Sequence, residues 1–289
     1  LPLHSNKLKG MKFVLTRENF TELFQPRLAL ASMSGKSDVD WAKQRQKWVG
    51  AAFLGAYNLD KQTLDAARGM VARGRTEFMP DDPFRFFREQ IEEANKLNLI
   101  AGANVRATDP QLIYRAGKLA REIGIVLEIN AHCRQPEMEE IGCGQALLRD
   151  RGRLKDTVQA GYESGAVLSL KSRFEVEGVD CVEQLNRAVE WGLDLLHVDA
   201  MDSEWLIGEL EVPFLIANNG VREKKHIREY MGYGADAVSV GRAQDPEQLQ
   251  RLADILEECS FTVSNPVSPD DSSDQDPLEE FTFDEVPGL

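Results

Sequence analysis

Eight short apolar runs, at 28–33, 49–57, 99–105, 125–130, 166–171, 194–199, 213–218 and 235–240, nearly all end in side chains able to bind or react. Met33, Ser34 and Gly35 close the first. Asn104 and Arg106 follow the third, and Glu128, Asn130, His132 and Cys133 gather at the fourth. Lys171 and Arg173 end the fifth, His197 and Asp199 the sixth, Asn218, Asn219 and Gly220 the seventh, Gly241 and Arg242 the eighth. A lysine at the end of a buried strand is costly unless it meets an anion or an electron-rich group. Lys171 is therefore a ligand contact or an ion-pair partner of Glu128. The Asn219-Gly220 and Gly241-Arg242 turns either only reverse the chain or cradle a phosphate, with backbone N–H groups and the Arg242 fork as donors. His197 reads as a ligand contact or as a core histidine bonded to a carbonyl. Cys133 reads as a working thiol or as a small buried apolar residue.

Some motifs carry less than they suggest. His132-Cys133 has no second close pair of ligands, so no metal is expected. Gly35-Lys36-Ser37 resembles the end of a phosphate-binding loop, but Leu30 stands where its first Gly belongs.

These residues need a scaffold, and the pattern between them supplies one. The runs are mostly continuous rather than alternating, as in parallel strands covered on both faces. Helical periodicity fills the intervals at 61–73, 83–97, 109–123, 179–191, 221–233 and 245–259. Asp109 and Pro110 form a helix start, and Gly124, Gly192 and Gly234 are helix stops placed just before strands. The expected fold is α/β, a (β/α)8 TIM barrel over 27–260, in preference to an open doubly wound sheet. An N-terminal extension, 1–26, precedes it. In such a barrel the chemistry lies at the C-terminal strand ends, with phosphate after strands seven and eight.

The chain has 289 residues and a net charge of −14, of which 261–289 carry −8, leaving −6 for the rest. This tail, rich in Asp, Ser and Pro, is expected to be disordered. The balance argues against broad nucleic-acid affinity. Four separated cysteines argue against a disulfide scaffold, and no apolar run is long enough to span a bilayer. A cytoplasmic protein with no membrane partner is expected.

The segment EINAHCRQPEMEEIGCGQALLRD at 128–150 resembles the I-N-x-G-C-P … G-G-x-x-L-L signature of the tRNA-dihydrouridine synthases, FMN-dependent barrels related to dihydroorotate dehydrogenases. LALASMSGKSD at 28–38 is similar to that family's A-P-M-x-G-x-T-D, ANVRATDP at 103–110 to Q-L-x-G-x-D-P, and LSLKSR at 168–173 to V-x-V-K-x-R. LLHVDA, IANNGV and ADAVSVGRA continue the series in order. The wording NAHCRQPEM is closest to a small archaeal branch described as dihydrouridine-synthase-like. The chain departs from the pattern at His132 (Gly in the family), Arg134 (Pro) and Asn104 (Gln), and in HVDA where the family has H-x-R.

The resemblance implies a flavin-dependent reduction of the uridine C5–C6 bond in tRNA, with NADPH or NADH as electron donor; the alternative is a barrel that binds FMN or a phosphate and acts on a free pyrimidine-like small molecule, or a non-catalytic subunit of a larger assembly. It implies Cys133 as the acid that protonates substrate carbon. Asn130, His197 and Arg173 would face substrate. Met33, Asn104, Lys171, His197, Asn219, Gly220, Gly241 and Arg242 would face FMN, with Lys171 at its N1–O2 edge. That family carries a helical tRNA-holding domain after the barrel, for which 261–289 offers no counterpart. Any tRNA is thus expected to bind weakly or with an accessory protein, using local cations such as Arg149, Arg151, Arg153 and Lys155.

Overall fold

The computed structural model describes residues 15–242 and 245–264. Eight parallel strands close in sequence order: β1 Leu28–Leu30, β2 Ala51–Asn58, β3 Ile100–Arg106, β4 Val126–Asn130, β5 Val167–Arg173, β6 Leu195–Asp199, β7 Leu215–Asn218 and β8 Ala237–Val240. β8 pairs back onto β1 through Leu28 and Val238, so the sheet has no edge. This is the expected (β/α)8 barrel. β1 stops at Leu30, short of the apolar run, because the chain turns into a short 3-10 segment, Ser34–Lys36, with Ser34 at φ 54°.

The helices follow the sequence signals closely. Asp38, Asp60, Asp82, Asp109, Asp150 and Asp180 each cap a helix by accepting a backbone N–H from its first turn. Each such cap contributes about 1 kcal/mol, so part of the acidic composition serves helix starts. Pro110–Ile123 ends at Gly124 in the left-handed conformation, φ 90°. The final helix, Pro246–Ser264, runs past the expected barrel boundary at residue 260. The remainder of the acidic tail, 265–289, lies outside the described residues.

Side chains alternate across the barrel wall, as the strand period demands. Alternate members such as Leu127, Ile129, Leu168, Leu170 and Val198 face the helices and join the main core. Ala51, Phe53, Val126, Val167, Leu195, Ile216 and Ala237 fill the floor of the barrel interior. Phe20 and Phe24 belong to this same cluster and lie 5.1 and 5.5 Å from the Phe214 ring. The N-terminal segment is thus partly a plug: its residues from Leu15 onward pack on the barrel bottom rather than forming a separate extension. Among the described residues no helix is long and apolar enough to cross a membrane.

Candidate active site at the barrel mouth

Two residues above the apolar floor, the same alternation places Asn104, Glu128, Ser169, His197 and Ser239 inward, all with no exposure. They form one hydrogen-bonded belt. Glu128 Oε1 accepts from Asn104 Nδ2 (2.7 Å), and its Oε2 accepts from Ser169 Oγ (3.2 Å). That same oxygen lies 2.8 Å from His197 Nδ1. His197 Nε2 lies 2.7 Å from Ser239 Oγ, which donates to Asn218 Oδ1 (2.8 Å). The Phe53 ring packs beneath His197 at 5.0 Å, in space that Gly102 leaves open: a Cβ there would stand 2.5 Å from the ring.

Burial alone would push the Glu128 carboxyl up. His197, Lys171 and the Asn104 bond more than offset this, and the group is held below the usual range. His197 is driven down to about 4, by burial first and then by Lys171. The pair is an ionised carboxylate against a neutral imidazole.

One layer higher stand Asn130, Lys171, Asp199 and Asn218, with Arg106 and Arg173. Lys171 is 3% exposed. Its ammonium makes no hydrogen bond and no ion pair among the described residues, while Glu128 bonds to Asn104, Ser169 and His197 instead. Burial lowers its affinity for the proton, opposed only by the field of Glu128 and Asp199. The alternative that Lys171 exists to pair with Glu128 is therefore not what the structure contains.

The remaining expected site residues fall into three groups. Met33, Asn219, Gly220, Gly241 and Arg242 follow the ends of the neighbouring strands β1, β7 and β8, which pair through Leu30 and Val240 and through Asn218 and Ser239. Asn219 and Gly220 both have positive φ, 76° and 70°, and a Cβ at Gly220 would meet nothing closer than 3.8 Å. A Cβ at Gly241 would touch Met33 at 3.5 Å, and Arg242 is exposed. Asn104 and His197 form the second group, locked below the mouth. The two ring nitrogens of His197 lie on Glu128 and Ser239, and the Asn104 amide bonds to Glu128 and Asn130.

The third group is the loop after β4. Asn130 Oδ1 accepts the N–H of His132 (3.2 Å) and of Cys133 (3.0 Å), while its Nδ2 donates to Asn104 (2.8 Å). The two residues then diverge. Cys133 turns into a small cluster with Ala66, Ala67, Met70, Met138 and Cys143, 9% exposed. Cys133 is thus nearly buried, in electrostatic contact with Arg106. His132 turns toward the mouth instead. Its Nε2 lies 3.0 Å from Asp199 Oδ2, and Asp199 Oδ1 accepts from Asn219 Nδ2 (3.1 Å). Arg173 is half-buried near this pair and bonds to the Phe174 carbonyl (3.4 Å).

Sequence reasoning missed the roles of Glu128, Asp199, Ser239 and His132. For the first three a signal existed: each lies an even number of residues from an inward position on its own strand. Glu77 had none. It pairs with Arg106 Nη1 (3.0 Å), with the two side chains 0% and 2% exposed, from a loop between two outer helices. Arg149 is taken by Glu139 (2.5 Å), Arg151 by Glu183 (3.7 Å) and Arg153 by the Thr108 carbonyl (3.2 Å). Three of the four cations expected to meet RNA thus have protein partners. Two surface clefts, about 460 and 340 Å³, lie on the helical layer beside Asp38 and Lys43 and beside Asp109 and Asp156, and neither includes a mouth residue.

No family model matches the chain. In fold it is similar to dihydroorotate dehydrogenase (DHODH) from Eimeria tenella, solved in complex with ferulenol. The TM-score is 0.60 at 15% identity, over 85% of this chain and 84% of that one. It is also similar to histamine dehydrogenase from Rhizobium sp. 4-9, with a TM-score of 0.58 at 12% identity over 83% of this chain. The chain spans about half, 49%, of that second protein. At such identities the likeness is one of fold alone. A curated relative is nearer in sequence: the uncharacterized protein MJ0144 of Methanocaldococcus jannaschii is 31% identical over 229 residues, 75% of this chain and 88% of the relative. The chain belongs to the same protein family as that archaeal protein.

Proposed function

We propose that this protein is a flavin-dependent oxidoreductase that holds FMN across its barrel mouth and acts on the carbon–carbon double bond of a pyrimidine ring. The observation that carries the reading is Lys171: a buried ammonium with no protein partner, set in the layer just above the belt of Glu128 and His197. A buried ammonium with no hydrogen-bond acceptor is costly even in the field of Glu128 and Asp199, and an electron-rich group from outside the chain offsets that cost. The N1–O2 edge of a flavin is such a group. Asn219, Gly220, Gly241 and Arg242 would take its phosphate on the β7–β8 side, and Met33 would lie against it. When bound, FMN supplies hydride chemistry, with NADPH or NADH as the outside reductant.

The resemblance to tRNA-dihydrouridine synthases supports uridine in tRNA as substrate, bound with an accessory protein. A free pyrimidine is the second reading. It is favoured by the protein partners of Arg149, Arg151 and Arg153, which leave less cation for phosphate.

The purified protein is expected to be yellow, and heat release of its ligand should yield FMN on chromatography. A protein that stays colourless after FMN addition overturns the reading. Mass spectrometry of tRNA from cells with and without the gene separates the two substrates: loss of dihydrouridine selects tRNA, and its retention selects the free pyrimidine.

A further inference from the structure

We infer that His132, held by Asp199 across the barrel mouth, exchanges the proton with the substrate, while the neighbouring Cys133 serves to pack the β4 loop. The inference deepens the proposed function and rests on it for the identity of the partner half-reaction.

Asn130 sets the turn after β4. Its carbonyl oxygen holds both N–H groups of the following turn, which fixes where the next two side chains go. Cys133 enters an apolar cluster, where its nearest companions are Met70, Met138 and Cys143. His132 instead reaches from the end of β4 past β5 to the end of β6, where Nε2 meets Asp199 at 3.0 Å. Its side chain keeps 29% exposure, and Nδ1 has no partner among the described residues. His132 presents an open ring nitrogen to the mouth and is held from the far side by Asp199.

Asp199 is suited to hold it. One oxygen takes the imidazole and the other takes the Asn219 amide, so the carboxylate is fixed at both ends. Burial pushes Asp199 up, but these two bonds and Arg173 bring it down to about 2, ionised at any working pH. An ionised acceptor at Nε2 requires the proton to sit on Nε2, leaving the Nδ1 lone pair open. This is the arrangement in which a carboxylate sets a histidine's tautomer.

The groups facing the ring are Asp199 and His197 from β6 and Lys171 and Arg173 from β5. Their balance, with burial first, holds His132 below its ordinary value of 6.5. The ring is therefore neutral near pH 7 and ready to accept a proton.

The step balances as follows. In the oxidising direction Nδ1 takes a proton from one substrate carbon, and the adjacent carbon loses its hydrogen with the electron pair to an oxidised flavin, so that a carbon–carbon double bond forms. In the reducing direction the imidazolium returns the proton to carbon as hydride arrives at the neighbour. The oxidising rate should hold above the His132 pKa and fall as pH drops through it. The reducing rate should rise over the same interval.

Two measurements test this. In ¹⁵N-histidine NMR, with His132→Gln for assignment, His132 should appear as the Nε2–H tautomer and titrate below 6.5, and Asp199→Asn should lower its pKa further. In anaerobic flavin reduction by 5,6-dihydrouridine, His132→Gln should keep FMN but slow reduction by about 10²-fold and lose the acid limb of the pH profile. Cys133→Ala should keep that limb. An Nδ1–H tautomer, a titration indifferent to Asp199→Asn, or an acid limb that vanishes in Cys133→Ala and survives in His132→Gln overturns the inference. A protein that binds no FMN overturns the proposed function instead, and the NMR result then decides the placement of the His132 proton by itself.

Discussion

Glu128 Oε2 and His197 Nδ1 meet at 2.8 Å with neither side chain exposed, at the centre of the barrel. The contact accounts for the position of Lys171 above it. With His197, Asn104 and Ser169 already on the carboxylate, the lysine is drawn by the field of Glu128 without bonding to it. The belt is satisfied, and the ammonium left over is the feature that calls for a ligand.

Replacing that ammonium separates structure from function. Lys171→Met removes a buried charge that makes no hydrogen bond but also the field that favours the Glu128 carboxylate, so the two effects oppose and unfolding stability should change by no more than about 1 kcal/mol. FMN affinity should fall by about 10-fold or more, the scale of one charge-assisted contact. Urea denaturation and flavin titration check the two halves. A large loss of stability would mean that the lysine has a structural partner.

The depressed histidines set an acid limit on the fold. His197 stays neutral down to about 4 in the folded chain, against about 6.5 unfolded. Between those values the unfolded chain binds the proton and the folded chain does not, so stability falls as pH drops from about 6.5 toward 4. His132, also depressed, adds in the same sense. Asp199 works in a lower window. Its contribution is present above about 4 and is lost as pH falls toward about 2. Unfolding free energies measured across pH 7 to 4 should decline, and His197→Gln should flatten that decline.

Gly144 holds the β4 loop closed. At φ 64° an added Cβ would stand 2.1 Å from the Cys133 carbonyl oxygen, a backbone atom that cannot turn away. Gly144→Ala should cost at least about 2 kcal/mol, from left-handed strain plus the clash. A thermal melt tests this, and a neutral result would show that the loop is free to shift.

Arg106 and Glu77 form a pair almost free of solvent, so removing one member should harm the fold more than removing both. Glu77→Leu leaves a buried guanidinium uncompensated, at a cost of about 3–5 kcal/mol. Glu77→Leu with Arg106→Met should recover much of that loss. A double variant no more stable than the single one would show that the pair contributes more than mutual neutralisation.

The end of the last helix, Ser264, sets where the acidic tail can be cut. A chain ending at Ser264 lacks all eight acids of 270–285 and should melt within a few degrees of the full chain. A large fall would show that the tail packs on the barrel.

The sequence by itself determined those features that depend on neighbours along the chain. Apolar runs bounded by Asp-Pro starts and Gly stops placed the strands and the main helices, because capping and the two side-chain periods act over a few residues. Alternation along β5 also made Lys171 inward, and the two Gly turns fell at adjacent strand ends once the barrel closed. What each polar group touches was decided elsewhere. His132 and Asp199 are 67 residues apart, and Glu128 and His197 are 69. Cys133 is buried because the helix Lys61–Ala72 brings Met70 against it. Phe20 and Phe24 close a floor built largely by strands far along the chain. Parallel strands make all their neighbours through long crossovers, so the chemistry of a strand end depends on which side chain arrives from the next strand and which lone pair is still free.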